Sequence, residues 1–470
     1  MKKKILYICR NCGEAYNKWI GKCEGCQEWN KIEATEIDQS KTSNAQNFQK
    51  SIETFTIDHS TVEHSHFRTT TGISELDRVL GGGIVPGAAI LFAGEPGIGK
   101  STLLLQLAAK LCDKNIRSLY ISGEESIEQI KIRAIRLGLA GKNIQVSAEN
   151  DASAIISLFE RSTYRKETEN KNELQSPSVL IIDSIQTLSH PSIQSVPGTV
   201  GQVKQCAFEL ITNSKKHNIA LIMVGHITKD GQIAGPKILE HMVDTVIYFE
   251  GDHTQQFRII RATKNRYGPT NEIGVFEMSG AGLQEVQNPS AIFMPRNNMS
   301  VSGSCIFAGL EGTRPMLMEI QSLVVPSFLA TPRRAVIGWD VNRLSMMIAI
   351  LNARLGLNIL NQEVYLNIVG GLKVTEPAAD LAVIVAIISA TKNIAIPHNV
   401  VFFGEIGLSG ELRQVTHYET RLLEAKKLGI DKVVMPYNNK KIDVNMDVIY
   451  LKHVSDIKPL LNKLGKKSED

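Results

Sequence analysis

Short β-branched and aliphatic runs recur between Thr70 and Glu285: Ala89 to Ala93, Ser118 to Ile121, Val179 to Ile182, Ala220 to Val224 and Thr245 to Phe249. Longer stretches of helical character separate them, and this alternation predicts a mainly parallel sheet covered by helices. Farther along, Leu344, Met347, Ile348, Leu351 and Leu355 fall at i, i+3, i+4, i+7 and i+11, one face of a helix. With strand candidates at Val364 to Val369 and Val400 to Phe403, this part reads as a second α/β or α+β domain with its own core. A polar stretch holding Pro289, Pro295, Asn297, Asn298 and Ser300 divides the two.

At the other end, residues 1–30 contain little aliphatic material, too little to fold without a staple. Residues 31–67 are rich in Ser, Thr, Gln, Asn and acidic side chains and sustain no period of 2 or 3.6. The expected organisation is a metal-stapled module (1–30), a linker (31–67), an α/β domain (68–285) and a C-terminal domain (286–470).

Composition narrows the class. A chain of 470 residues exceeds one core, and 43% hydrophobic against 21% charged excludes wholesale disorder. Lys plus Arg (52) against Asp plus Glu (48) leaves +4, so nucleic-acid binding would have to use local patches. The longest apolar stretch, Leu381 to Ala390, is short of the roughly 20 residues a spanning helix needs. The opening MKKKILYIC sets lysines before an apolar run, but the run stops at Arg10, below secretory length. No membrane segment and a cytoplasmic location are expected.

Seven cysteines are present, with Cys112, Cys206 and Cys305 scattered through apolar segments. The other four form two knuckles, Cys9-x2-Cys12 and Cys23-x2-Cys26. Each knuckle places two thiolates about a tetrahedral ion, so a closed structural zinc site is expected in a reducing compartment. The module's six Lys/Arg and three Glu leave it at +3, a charge that permits contact with nucleic acid.

The strongest chemical signal is Gly94, Glu95, Pro96, Gly97, Ile98, Gly99, Lys100, Ser101, a full GxxxxGK(S/T) match between a strand and a helix-prone run that Thr102 begins. Backbone N–H groups of such a loop cradle the α/β-phosphates of ATP, Lys100 reaches the β/γ-phosphates and the Ser101 hydroxyl ligates Mg²⁺. Asp183 closes the apolar run from Val179 and is the expected second Mg²⁺ partner. Glu124, after the strand SLYIS, is the candidate base that orients water, with Glu125 as its rival. His226 ends the run from Ala220, positioned to sense the γ-phosphate.

These segments converge on a known pattern. TGISELDRVLGGGIVPG, GEPGIGKST, VLIIDSIQT, VGHITKDG and above all Lys264, Asn265, Arg266, Tyr267, Gly268 resemble the RadA (Sms) family of bacterial recombination and DNA-repair ATPases. The resemblance covers nearly the whole chain; the family signature is KNRFG, and Tyr267 here replaces its Phe. It implies an α/β, RecA-like P-loop ATPase core with an N-terminal four-cysteine zinc finger and a C-terminal Lon-protease-like α+β domain. It further implies a homo-oligomeric, hexameric ring that acts on single-stranded and branched DNA alongside the RecA recombinase, with ATP, Mg²⁺ and Zn²⁺. Lys264 and Arg266 inherit roles in DNA handling and intersubunit communication: they could grip phosphates beside an aromatic, or reach a neighbour's ATP in trans.

The C-terminal domain raises a rival function, ATP-dependent proteolysis by a Ser-Lys dyad. Glu376, Pro377, Ala378, Ala379, Asp380 stands where the family's nucleophile stretch belongs, so Ala378 replaces the Ser and Glu419 replaces the Lys. Both dyad groups are missing, which disfavours the protease. A small-molecule kinase would leave the extra modules without a task. Arg333 and Arg334 offer a further basic pair for DNA.

Overall fold

The computed structural model describes residues 4–9, 15–23, 28–37, 68–161, 177–226, 238–251, 256–270, 272–294, 300–370, 373–439 and 445–467. The chain divides into two compact units, Met1–Glu285 and Val286–Asp470.

Near the N-terminus, β1 (Lys4–Cys9) pairs antiparallel with β2 (Ala15–Tyr16) and with β3 (Ile32–Ile37). The expectation that a linker starts at residue 31 is therefore corrected: residues 32–37 belong to this sheet. Ile32, Ala34 and Ile37 among acids and a threonine show no period of their own. It is the ladder from Lys4↔Ile37 to Cys9↔Ile32 that satisfies the backbone and makes the strand.

The α/β core runs α1 (Ser74–Leu80), β4 (Ala89–Gly94), α2 (Lys100–Asp113), β5 (Ser118–Ser122), α3 (Ile127–Arg136), β6 (Gln145–Ala148), α4 (Ala152–Arg161) and β7 (Val179–Asp183). It continues with α5 (Val200–His217), β8 (Ala220–His226), α6 (Ile238–Met242), β9 (Thr245–Glu250), β10 (Phe257–Asn265), β11 (Ile273–Ser279) and β12 (Gly282–Glu285). The nine strands lie in the order β12-β11-β10-β9-β4-β8-β7-β5-β6. Pairing is parallel from β9 through β6, and antiparallel from β9 outward to β12.

Helices cover both faces, which is why β4, β7 and β8 read as unbroken apolar runs. Ile90 and Phe92 of β4 pack with Leu104, Leu107 and Leu111 of α2 in one core. Leu91 and Ala93 face the other, with Val203, Cys206 and Leu210 of α5. Removing one such leucine would cost about 2–5 kcal/mol, so the strand ends bearing the site are rigidly placed. Ser126 caps α3 through a reciprocal box with Gln129.

The second unit holds a seven-stranded sheet in the order Arg334–Ile337, Gln362–Ile368, Arg314–Pro326, Ser304–Glu311, Val400–Phe402, Lys432–Pro436 and Asp447–Leu451. The helix Asp380–Lys392 is buried all round its first ten residues. Among the described residues no helix is long and apolar enough to cross a membrane.

Candidate nucleotide site and signature motif

Strands β4, β8, β7 and β5 are consecutive neighbours, with Gly94 paired to His226 and Ser122 to Asp183. Their carboxyl ends therefore gather Gly94, His226, Asp183 and, two residues past Ser122, Glu124 along one edge. That edge is where ligands of open α/β sheets collect.

Glu95, Pro96 and Gly97 form the exposed crown of the phosphate loop, and Ile98 is buried beneath it. Gly99 has φ of 116°, a backbone conformation that residues other than glycine rarely adopt. Lys100 opens α2 and is 3% exposed. Its Nζ donates to the carbonyls of Gly94 (2.7 Å) and Glu95 (2.8 Å), and burial lowers its pKa to about 8. Ser101 and Thr102 follow, half-buried, in the first turn of α2.

Asp183 is buried, and the Tyr120 hydroxyl donates to its Oδ2. Burial, reinforced by this carboxylate, pushes the Tyr120 phenol well above its usual range. Asp183 Oδ1 is buried and has no hydrogen-bond partner among the described residues. An orphaned carboxylate oxygen beside the phosphate loop suits a hard divalent cation, so the residues present fit Mg²⁺.

Glu124 Oε1 accepts from Ser184 Oγ at 2.6 Å and lies 3.0 Å from His226 Nε2. The His226 bond first, then that of Ser184, holds the carboxyl down at about 2 against the opposing pull of burial. Glu125 instead pairs with Arg133. Of the two rivals, Glu124 is the one turned to the cluster.

The five-residue signature closes β10 and the turn after it. Lys264 sits beside a break in register between Ala262 and Lys264, and its Nζ donates to the carbonyls of Glu240 (2.6 Å), Val243 (2.7 Å) and His241 (3.3 Å). It thus caps the C-terminal end of α6, and burial lowers its pKa. Asn265 Oδ1 accepts from the Tyr267 amide (3.0 Å), and its Nδ2 donates to Leu80 O (3.3 Å). Arg68 donates to Gly81 O (2.6 Å) and to Tyr267 O. A Cβ on Gly268 would stand 3.0 Å from Gly81 Cα, so the turn packs directly on the end of α1. Arg266 alone of the motif's cations projects outward, 60% exposed and 3.8 Å from Asp244.

Cys9 and Cys23 are buried beside Ile32, with the Tyr16 hydroxyl 3.2 Å from Cys23 Sγ. Cys12 and Cys26 lie outside the described residues.

In the second unit, Ala378 is buried at the turn before the apolar helix and Glu419 is exposed. Two arginine–carboxylate pairs lie there whose arginines sequence reasoning missed. Arg421, 1% exposed, donates to Glu376 Oε2 (2.5 Å) and Ala308 O (2.6 Å). Arg343 grips the fully buried Asp380 in bidentate fashion at 2.6 Å. Arg334 spends its guanidinium on the carbonyls of Ile359, Leu360 and Gln362.

Comparison with known proteins places these features. A family model described as KaiC, an ATPase, matches residues 69–284, one for the rubredoxin metal binding domain matches residues 7–34, and one for subunit ChlI of Mg-chelatase matches residues 342–439. The DNA repair protein RadA of Rickettsia bellii is 48% identical over 98% of this chain and 99% of its own. That of Rickettsia felis is 49% identical (97% and 99%), and that of Haemophilus influenzae 43% (98% and 99%). The chain belongs to the RadA family. It is an ATP-hydrolysing enzyme with a KaiC-like P-loop core, a rubredoxin-like metal-binding ribbon and a ChlI- and Lon-like C-terminal domain. Its ATPase core implies a nucleotide with Mg²⁺.

Proposed function

We propose that the protein is a DNA-dependent ATPase motor of recombinational repair, driving branch migration of single-stranded and branched intermediates alongside the RecA recombinase. The observation that carries this reading is the convergence of Lys100, Asp183, Glu124 and His226 on one sheet edge beside the phosphate loop; the RadA relatives supply the DNA context.

In this reading the loop from Gly94 to Thr102 binds the ATP phosphates, and Ser101 and Asp183 hold Mg²⁺, which supplies charge neutralisation on the phosphoryl oxygens. Lys100 exchanges its two loop carbonyls for phosphate oxygens. Glu124 orients the attacking water with Oε2, because Oε1 is committed to Ser184 and His226. The signature motif couples DNA occupancy to ATP state: Arg266 faces outward to DNA or to a neighbour's nucleotide, and Lys264 ties the same strand to the end of α6. A hexameric cytoplasmic ring brings such neighbours together, and the ribbon is stapled by zinc on Cys9, Cys12, Cys23 and Cys26. The C-terminal domain serves as scaffold, since Ala378 offers no nucleophile and Glu419 stands in place of the dyad's lysine.

The test is ATP turnover with and without single-stranded DNA, followed by branch migration of a three-strand intermediate. Lys100→Ala is expected to abolish both. Wild-type turnover in that variant, or casein degradation by the native protein, would overturn the reading.

A further inference from the structure

Tyr120 and Asp183 come from neighbouring strands, β5 and β7, in the register Tyr120↔Ile181 and Ser122↔Asp183. Tyr120 is fully buried, its ring packed within the core that α2 shares with β4. Its hydroxyl reaches Asp183 Oδ2. A tyrosine at a position this apolar has one polar atom to satisfy, and here it spends that atom on the carboxylate at the sheet edge. The same carboxylate keeps its second oxygen, Oδ1, buried and without a partner among the described residues. One oxygen is anchored and the other presented.

We infer that Tyr120 is a positioning residue for Mg²⁺: by holding Oδ2, it fixes the rotation of the Asp183 carboxylate so that Oδ1 faces the metal. This rests on reading Asp183 as the Mg²⁺ ligand. The physics is that of outer-shell control, in which a ligating carboxylate is itself hydrogen-bonded, so that orientation is settled before the ion arrives. Without the hydroxyl, Asp183 can rotate, and either oxygen must be ordered when metal binds.

The experiment is a Mn²⁺ titration by electron paramagnetic resonance on the full chain with ADP, comparing wild type, Tyr120→Phe and Asp183→Asn. Tyr120→Phe is expected to weaken Mn²⁺ by about tenfold and to raise the Mg²⁺ concentration needed for half-maximal turnover by a similar factor. Its kcat at saturating Mg²⁺ and its ADP affinity in EDTA should stay near wild type. A purely structural tyrosine would lower thermal stability and leave the metal titration alone. Unchanged Mn²⁺ affinity in Tyr120→Phe, with affinity lost in Asp183→Asn, overturns the inference and spares the ligand assignment. Unchanged affinity in Asp183→Asn overturns the assignment itself. If Tyr120→Phe does not fold, 4-fluorophenylalanine at position 120 fills the space of the hydroxyl while donating nothing to Oδ2. A loss of Mn²⁺ affinity is then expected, and an unaltered titration overturns the proposal.

Discussion

His226 Nε2 lies 3.0 Å from Glu124 Oε1 although His226 ends β8 and Glu124 follows β5, the strands that flank β7 on opposite sides. The contact crosses directly over the end of the strand that carries Asp183, so the acid, the imidazole and the metal ligand are one electrostatic unit.

Removing the imidazole should therefore be visible as a pH effect. Glu124 is held at about 2, chiefly by His226, so it is ionised throughout the working range. In His226→Ala its pKa should climb toward 4.5, and the acid limb of the kcat profile should move up by about one to two pH units. The depressed value also contributes stability that is present above the unfolded carboxylate range and fades as pH falls toward 2. A pH–rate series on both proteins checks it; superimposable acid limbs would contradict it.

Lys100 shows the same slope at higher pH. Burial lowers it to about 8 from 10.5, so between those values the folded chain binds fewer protons than the unfolded one, and this group's contribution to stability rises with pH. Phosphate binding favours the ammonium form, so ADP binding at about pH 8.5 should take up a proton. Calorimetry in buffers of different ionisation enthalpy reads the uptake, and Lys100→Met should remove it.

The two cations of the signature should separate by assay. Lys264→Met strips three carbonyls of their donor and should cost about 1–3 kcal/mol of stability in denaturant titrations. Arg266→Ala should leave the unfolding midpoint in place, weaken DNA binding, and reduce the salt slope by about one. Equal unfolding midpoints in both variants would refute this division.

Arg421→Leu leaves the half-buried Glu376 with the Leu310 amide as its remaining partner among the described residues. A loss of about 1–3 kcal/mol is expected, partly recovered when Glu376→Gln is added. Chemical denaturation of the two variants measures the recovery. Ala378→Ser with Glu419→Lys should still digest no casein, because position 378 is buried and position 419 is exposed.

For the ribbon, Cys23→Ser should lower bound zinc from about one equivalent per chain, since a buried hydroxyl replaces a thiolate. Native mass spectrometry reads the metal content, and equal zinc in both proteins would count against the site.

The phosphate loop and the Asp183 strand were legible because each is a local pattern: an apolar run, a polar terminus, a glycine-rich turn. Ser184, Tyr120 and the partners of Lys264 were not. Their roles depend on which strands are neighbours, and SLYIS looks the same whether its tyrosine faces a carboxylate or a leucine. The four-strand antiparallel extension from β9 to β12 escaped for the same reason, since short runs do not reveal their direction. Ile32–Ile37 escaped because its strand character resides in β1.

Arg68 is the first described residue after the stretch that joins the ribbon to the core, and it is tied to both Gly81 O and Tyr267 O. A pull on the chain upstream of it is therefore not absorbed by the hydrophobic interior. The load falls first on the end of α1 and on the signature turn, whose glycines already touch. The entry of the chain into the core and the posture of Arg266 then share a single joint, built from Arg68, Gly81 and the turn that follows β10.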